Sequence, residues 1–148
     1  INSFRHLATE EQARAHLGCV ARSLKKGGLY VLGLHLTPEQ SRPVVTEESW
    51  AARRGNLSVL SRMWSIKLDR RRRRETVGMT FDVYTPTRTF RLGNRIDFRT
   101  YTARQMDDLI GGEPSLETVA TYDFAYRIDH PIEVDPKVED VVYVLRKR

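Results

Sequence analysis

The sequence predicts an α/β fold of the doubly wound type that carries an inserted antiparallel β unit. An amphipathic helix is followed directly by a short apolar strand at residues 29–36, an order typical of such folds. A long stretch of alternating apolar and polar residues, 57–101, predicts the insertion. With 148 residues, 40% hydrophobic and 30% charged, the chain suits one globular domain.

The first helix is predicted from Thr9 to about residue 25. Thr9 and Gln12 have the spacing of a capping box, in which each side chain satisfies a backbone N–H of the other residue. The apolar residues that follow recur at helical spacing: Ala13, Leu17, Val20, Ala21 and Leu24. Gly27 or Gly28 can adopt the left-handed conformation that ends a helix.

The strand at 29–36 is apolar on both alternating faces, which is typical of a central strand in a parallel sheet covered by helices on both sides. His35 comes near its end, and we expect it to project from the carboxyl edge, where open α/β folds bind ligands. The alternative is a histidine that packs against a neighbouring loop.

The insertion is predicted to begin with a polar loop over residues 38–55 that contains one short helix. Alternating residues at 64–68 and 77–83 predict two half-buried strands, joined into a hairpin by Arg70–Arg74. Gly93-Asn94 is a strong turn dipeptide and favours a further hairpin or a bulge. Residues 57–101 together are expected to form an antiparallel β unit.

The last part of the chain predicts a second helix and two strands. Thr102 can cap a helix that runs through about Ile110 and ends at Gly111-Gly112. Strands are expected at 116–122 and 141–145, separated by a proline-bearing loop.

Composition argues against several classes of protein. The lone Cys19 gives no disulfide framework and no cysteine cluster for a metal, and we expect it to be a buried core thiol. No apolar run approaches the roughly 20 residues that span a bilayer. We therefore expect a cytoplasmic protein with neither a metal site nor a membrane span.

The net charge of +6 comes mostly from the five consecutive arginines Arg70–Arg74. A basic run of this kind can bind phosphates. The run stands between two predicted strands and has no interleaved aromatic residues for base stacking, so a solvated turn is the expected structure.

The chain resembles the C-terminal half of class I S-adenosylmethionine-dependent methyltransferases. Asn2-Ser3-Phe4-x-His6-Leu7 is similar to the segment that leaves the family's fourth strand, in the form found in glycine-type small-amine N-methyltransferases. Residues 24–31 resemble the Leu-Lys-Pro-Gly-Gly entry to the fifth strand, with Lys26 where proline is usual. Residues 99–102, the strand leading to 122–124, and 142–146 resemble the final section.

This resemblance implies a single partial methyltransferase domain. Residues 1–37 and 99–148 would be core elements of a Rossmann-like sheet, with the fifth strand parallel and the last two strands an antiparallel pair or an edge. Residues 38–98 would be an inserted loop and β lid. The family's Gly-rich cofactor motif lies before the fourth strand, and neither Gly27-Gly28 nor Gly111-Gly112 follows a strand and opens a helix.

The resemblance also implies the site residues, with no dedicated catalytic group, because methyl transfer needs mainly positioning and exclusion of water. Cofactor binding would fall to Asn2, Ser3 and His6. The residues expected to contact the acceptor are Asn2, His35, Trp50, Tyr84 and Arg91. For each of these, packing, capping or surface exposure is the alternative.

The implied function is an S-adenosylmethionine-dependent methyltransferase with a small-molecule acceptor. The expected partners are the missing N-terminal half and a second copy of this chain, and the fragment alone is expected to be inactive and to bind the cofactor weakly or not at all. Two alternatives stay open: a non-catalytic interaction module with a degenerate methyltransferase fold, and nucleic-acid binding through Arg70–Arg74.

Overall fold

The computed structural model describes residues 2–39 and 47–148, which belong to two compact units. Residues 1–43 and 99–148 form the first unit, and residues 44–98 form the second. In chain order the elements are a 3-10 helix (Ser3–His6), α1 (Glu10–Ser23), β1 (Leu29–His35), β2 (Glu47–Arg54), β3 (Leu57–Asp69), β4 (Arg74–Tyr84), β5 (Thr89–Arg99), α2 (Ala103–Gly111), β6 (Leu116–Tyr122) and β7 (Asp140–Lys147).

Both helices begin where the sequence predicts. Thr9 accepts a hydrogen bond from the backbone N–H of Gln12, and Thr102 caps α2 in the same way, each as part of a complete capping box. After α1, Gly27 takes the left-handed conformation at φ 78°. A Cβ on Gly28 would lie 2.8 Å from the Lys25 carbonyl oxygen, so the turn from α1 into β1 favours glycine at both positions.

The first unit contains a three-stranded sheet of order β1-β7-β6. Both pairs are antiparallel, so the expected antiparallel pairing of the last two strands is confirmed. Among the described residues β1 lies at the edge of this sheet and pairs with the antiparallel β7, so the parallel neighbour expected for a central strand at 29–36 is not among them. Leu29 and Val31 are 55% and 61% exposed, because the helices cover only the other face.

The buried face of the sheet carries the core. Leu32 and Leu34 on β1 lie across from Tyr143 and Val141 on β7, and all four are buried. The core cluster comprises Phe4, Ala13, Leu17, Ala21, Leu32, Leu34, Leu36, Tyr101, Ala103, Met106, Leu109, Ile110, Leu116, Val141, Tyr143 and Leu145. Residues of β1 that alternate with the buried ones face away from this core, and His35 is one of them.

Four antiparallel strands in the order β2-β3-β4-β5 form the second unit. The arginine run joins β3 and β4, with Asp69 paired to Arg74, so that predicted hairpin is confirmed. The expected loop with a short helix at 38–55 is wrong where it is described, because 47–54 form β2. Gly55-Asn56 makes a two-residue hairpin turn, with Gly55 at φ 58°. Residues 40–46 lie outside the described part.

Of the two alternatives at Gly93-Asn94, a hairpin or a bulge, the hairpin is wrong, because β5 continues through both residues. The chain instead reverses at 85–88, where the Thr85 N–H donates to the Arg88 carbonyl oxygen at 2.9 Å. Within β5 the Asn94 Oδ1 accepts from the Arg95 N–H at 2.8 Å. The long neighbouring strand β4 therefore overrides the local turn preference.

The cysteine expected in the core is exposed instead. The buried stripe of α1 repeats every four residues through Ala13, Leu17 and Ala21, and Cys19 falls outside it. Within residues 2–39 and 47–148, no helix is long and apolar enough to cross a membrane. The same part of the chain holds no group of three His, Cys, Asp or Glu side chains placed to bind a metal ion.

Candidate functional site at the carboxyl end of β1

A histidine and an aspartate meet at the carboxyl end of β1. His35 lies directly across from Asp140, the first residue of β7, and its Nδ1 is 2.5 Å from Asp140 Oδ1. The side chains are 29% and 46% exposed, so the pair is partly open to solvent. Cross-strand neighbours share a face of the sheet, and this face is the one opposite the helices.

Asn2 fixes the outer edge of β1 beside this pair. Its Oδ1 accepts a hydrogen bond from the backbone N–H of His35 at 2.9 Å, and its own N–H donates to the Gly33 carbonyl oxygen at 3.1 Å. Asn2 is left-handed at φ 62°, a conformation that asparagine tolerates better than most residues. The structure thus joins two of the predicted site residues, Asn2 and His35.

Aromatic rings flank the histidine. The Phe124 ring centroid lies 5.1 Å from that of His35, at an angle of 60° between the ring planes. Tyr126 stacks on Phe124 at 5.9 Å with an angle of 5°, and is 55% exposed. The segment after β6 therefore gives the site an aromatic wall.

The second ring nitrogen of His35 is available. Among the described residues Nε2 has no hydrogen-bond partner. It is not one of the side-chain atoms that are buried without a partner, so it is open to solvent. When an aspartate accepts from the Nδ1–H of a neutral imidazole, the lone pair is on Nε2. The site therefore presents a proton acceptor beside an aromatic wall.

The other two residues predicted to bind the cofactor follow Asn2 closely. Ser3 and His6 are exposed on the 3-10 helix, whose intervening residues Phe4 and Arg5 are buried. Arg5 anchors this helix by donating from Nε to the Arg99 carbonyl oxygen at 3.1 Å. The exposed residues thus stand on a fixed short helix.

Trp50, Tyr84 and Arg91 belong to the second unit. Trp50 is 51% exposed on β2, and Tyr84 is 44% exposed at the end of β4. Tyr84 borders a groove of about 330 Å³, together with Ala51, Ala52, Arg53, Ser58, Val59 and Leu60. This groove is largely apolar and is open to a small molecule.

Arg91 is already occupied. It makes a two-pronged ion pair with Asp82, with Nη2 2.9 Å from Oδ2 and Nε bonded to Oδ1. The Asp82 side chain is 8% exposed. The hydrogen bond from Arg91 holds the pKa of Asp82 below its ordinary value. This guanidinium is therefore a structural partner of a buried carboxylate.

The arginine run makes contacts within its own hairpin and with the neighbouring strand β5. Arg74 pairs with Asp97 at 3.1 Å, and Asp69 Oδ1 accepts from the Arg72 N–H at 2.9 Å to close the turn. Arg73 is left-handed at φ 53° and only half-exposed. These contacts fit a hairpin turn better than a continuous basic surface.

Sequence reasoning missed Asp140, Phe124 and Tyr126 as site residues. His35 and Asp140 are 105 positions apart, so their pairing depends on a strand register that no local pattern gives. The one usable signal is the position of Asp140 directly before an apolar run that predicts a strand.

The comparisons with known proteins bear on the fold. No family model and no curated protein matches the chain. Solved structures do match: an S-adenosylmethionine-dependent methyltransferase from Clostridium acetobutylicum has a TM-score of 0.71 at 14% identity, over 99% of this chain and 55% of its own. DesVI from Streptomyces venezuelae has a TM-score of 0.72 at 15% identity, over 100% and 56%. The fold is that of about half a methyltransferase.

A third match has a more specific description. CalS10 from Micromonospora echinaspora, an amino pentose methyltransferase solved with S-adenosylmethionine bound, has a TM-score of 0.70 at 14% identity, over 100% of this chain and 56% of its own. The chain thus spans about half the length of the methyltransferases that it matches. At these identities the likeness establishes the fold.

Proposed function

We propose that this chain is the acceptor-side half of an S-adenosylmethionine-dependent methyltransferase that acts on a small molecule. The observation that carries the proposal is the match of the whole chain to part of several such enzymes at TM-scores near 0.7. The open pair His35–Asp140, at the carboxyl end of β1, supports it, because ligands of α/β sheets bind at that edge.

For the cofactor, the residues on this chain that fit are Asn2, Ser3 and His6. The exposed Ser3 hydroxyl and His6 imidazole can hydrogen-bond a carboxylate or a ribose, and Asn2 keeps its amide nitrogen after its oxygen binds His35. The cofactor supplies a methyl group on a sulfonium. Three polar side chains are few for so large a ligand, so we expect weak binding or none by this chain alone.

An amine is the acceptor that we propose. CalS10 is described as an amino pentose methyltransferase, and KedS8 from Streptoalloteichus, with a TM-score of 0.68 at 13% identity over 100% of this chain, as a sugar N-methyltransferase. A free imidazole nitrogen accepts a hydrogen bond from an N–H group, and the faces of Phe124 and Tyr126 suit a cation or a sugar ring.

In the second unit, Tyr84 and its groove are better candidates for acceptor contact than Arg91. Arg91 could bind an anionic group only by leaving Asp82 buried and unpaired, which costs free energy. Trp50 is exposed and stays a candidate. Both expectations concern this unit by itself.

A second candidate function is a non-catalytic interaction module, which the exposed Leu29 and Val31, on the face of β1 opposite the helices, favour. In a methyltransferase the cofactor-binding half would cover this face. In an interaction module a partner would cover it, and a second copy of the chain is one such partner. A methyltransferase therefore requires a cofactor-binding half encoded upstream of Ile1, whereas an interaction module does not.

The test compares two proteins by calorimetry with S-adenosylmethionine. One is the 148-residue chain, and the other is the product of the complete reading frame that contains it. We expect little or no heat from the first and micromolar binding by the second, whose added sequence should contain a strand, a Gly-rich turn and an acidic residue about 20 positions later. A start codon directly before Ile1, or no binding by the longer protein, would favour the interaction module.

A further inference from the structure

We infer that His35 is the base that takes the proton from the amine acceptor, with Asp140 and Asn2 as its positioning residues. The inference rests on the proposed function, because an amine can attack a methyl group only after it has lost a proton. The contact of 2.5 Å between His35 Nδ1 and Asp140 Oδ1 is the observation that carries it.

The geometry favours Nε2 as the atom that receives the proton. Asp140 Oδ1 lies 2.5 Å from Nδ1, which holds the proton of a neutral imidazole on Nδ1 and leaves the Nε2 lone pair free. Nε2 has no partner among residues 2–39 and 47–148 and is open to solvent.

The histidine is fixed from three elements, as a base must be. Asn2 binds its backbone N–H, Asp140 on β7 binds its ring, and Phe124 after β6 lies against the ring face. Among residues 2–39 and 47–148, Asp140 is the titratable group that hydrogen-bonds His35. The phenol of Tyr126 is stacked on Phe124. A substrate amine would approach on the remaining open side.

The chemical balance is simple. An ammonium N–H gives its proton to Nε2, and the freed lone pair forms a bond to the methyl carbon of the bound sulfonium. The carbon–sulfur bond breaks, and its electron pair stays on sulfur as a neutral thioether. The proton on His35 then leaves to water, so that the histidine returns to its starting state.

The first test needs no methyl transfer. Long-range proton–nitrogen NMR spectra of the 148-residue chain distinguish the two neutral tautomers of each of its four histidines. We expect His35 in the Nδ1–H form, and a shift toward the Nε2–H form in Asp140→Ala with the other three unchanged. An Nε2–H tautomer in the unaltered chain overturns the inference.

The second test measures methyl transfer by the product of the complete reading frame, with glucosamine and glycine as amine probes and glucose as a hydroxyl probe. We expect His35→Gln to lower kcat near pH 7 by roughly 10²-fold, with a smaller change in KM. With glucosamine the deficit should shrink by about pH 9, where solvent removes the proton of an α-amino-type amine. His130→Gln, at an exposed histidine beside Asp129, is the matched control.

The outcomes separate the two proposals. Transfer by His35→Gln that equals that of the unaltered protein at pH 7 overturns the inference and leaves the proposed function standing. A loss that is the same at every pH also overturns it, because it indicates a structural role. No transfer to any probe by the unaltered protein overturns the proposed function, and this inference with it.

Discussion

The two sheets of this protein are stabilised in different ways. The three-stranded sheet buries one face under α1 and α2 around a cluster of apolar side chains. The four-stranded sheet belongs to a unit whose described elements, over residues 47–98, are all strands. Cross-strand pairs such as Trp64 over Gly78 and Arg91 with Asp82 lie on its surfaces.

The two sheets also differ in whether a polar pair has atoms available for a reaction. In the four-stranded sheet Asp82 is buried and both its oxygens are bonded to Arg91, so the pair is part of the structure. In the three-stranded sheet the helices supply the stability, and His35–Asp140 stays partly exposed with one ring nitrogen open. Unsatisfied, accessible polar atoms on a rigid element are candidates for function.

Native probes report on the two units separately. Both tryptophans of the chain, Trp50 and Trp64, lie in the four-stranded sheet, so their fluorescence follows that unit. Both α-helices lie in the first unit, so circular dichroism at 222 nm follows the helices that pack on the three-stranded sheet.

The largest expected effect is in the helix-packed sheet. Tyr143 is 1% exposed and its hydroxyl has no hydrogen-bond partner in the described part of the chain; burial raises the pKa of this phenol. Tyr143→Ala should lower the free energy of unfolding by about 3–5 kcal/mol. Tyr143→Phe should leave it unchanged or raise it by up to about 1 kcal/mol, because an unpaired buried hydroxyl is removed.

Urea unfolding followed by circular dichroism checks both variants. A loss of more than about 1 kcal/mol in Tyr143→Phe would mean that the hydroxyl has a partner, and that this core depends on polar contacts as the other sheet does.

A smaller effect is expected in the four-stranded sheet. A Cβ on Gly78 would lie 2.6 Å from two ring carbons of Trp64, whereas a Cβ on Gly93 would meet nothing closer than 3.8 Å. Gly78→Ala should therefore destabilise this unit by about 1–3 kcal/mol. Gly93→Ala is the matched control and should change it by less than about 0.5 kcal/mol.

Urea unfolding followed by tryptophan fluorescence measures both substitutions. Equal midpoints for the two variants would show that the Trp64–Gly78 contact does not hold the sheet together.

The two polar pairs, Arg91–Asp82 and His35–Asp140, should differ in how much they contribute to stability and in how that contribution depends on pH. Because Arg91 lowers the pKa of Asp82 in the folded state, the stabilisation is present above the ordinary aspartate pKa and is lost as pH falls through the lowered value. The urea concentration at the midpoint of unfolding, followed by fluorescence, should therefore decrease when the pH is lowered below about 4. Asp82→Asn should have a lower urea midpoint than the unaltered chain at pH 7. On acidification its midpoint should decrease by less than that of the unaltered chain.

Asp140→Asn is the counterpart in the other sheet. Its carboxylate is 46% exposed, so we expect little change in the circular dichroism midpoint at pH 7. A loss at Asp140 as large as that at Asp82 would contradict the distinction between an open pair and a structural one.

The smallest expected effect is at the surface of α2. Burial, and then the neighbouring Asp108, raise the pKa of Asp107, so the folded state holds this proton more strongly than the unfolded state does. This contribution to the stability of the folded state decreases as the pH rises through the ordinary pKa of an aspartate and then through the raised pKa of Asp107. Asp107→Asn should raise the circular dichroism midpoint slightly at pH 7, with a smaller gain at pH 4. A lower midpoint at pH 7 would contradict this.

Local signals predicted much of the fold. The capping residues Thr9 and Thr102, and the glycines after α1, act within about four positions, and the structure has the helices where these residues predict them. The resemblance of residues 24–31 to a methyltransferase strand entry anticipated the fold that the solved structures share.

Long-range pairing was not predictable in this way. Gly93-Asn94 favours a turn locally, yet β5 passes through it because the neighbouring strand β4 supplies hydrogen bonds along its length. The position of β1 in its sheet depends on which strands pair with it, and its apolar sequence does not specify those partners. Asp140 joined the site only through the register of β1 and β7.

The decisive measurement is methyl transfer by the product of the complete reading frame. With S-adenosylmethionine and glucosamine, we expect formation of S-adenosylhomocysteine and of a methylated amine, unchanged in Gly93→Ala and strongly reduced near pH 7 in His35→Gln. Formation of neither product with glucosamine, glycine or glucose would contradict it.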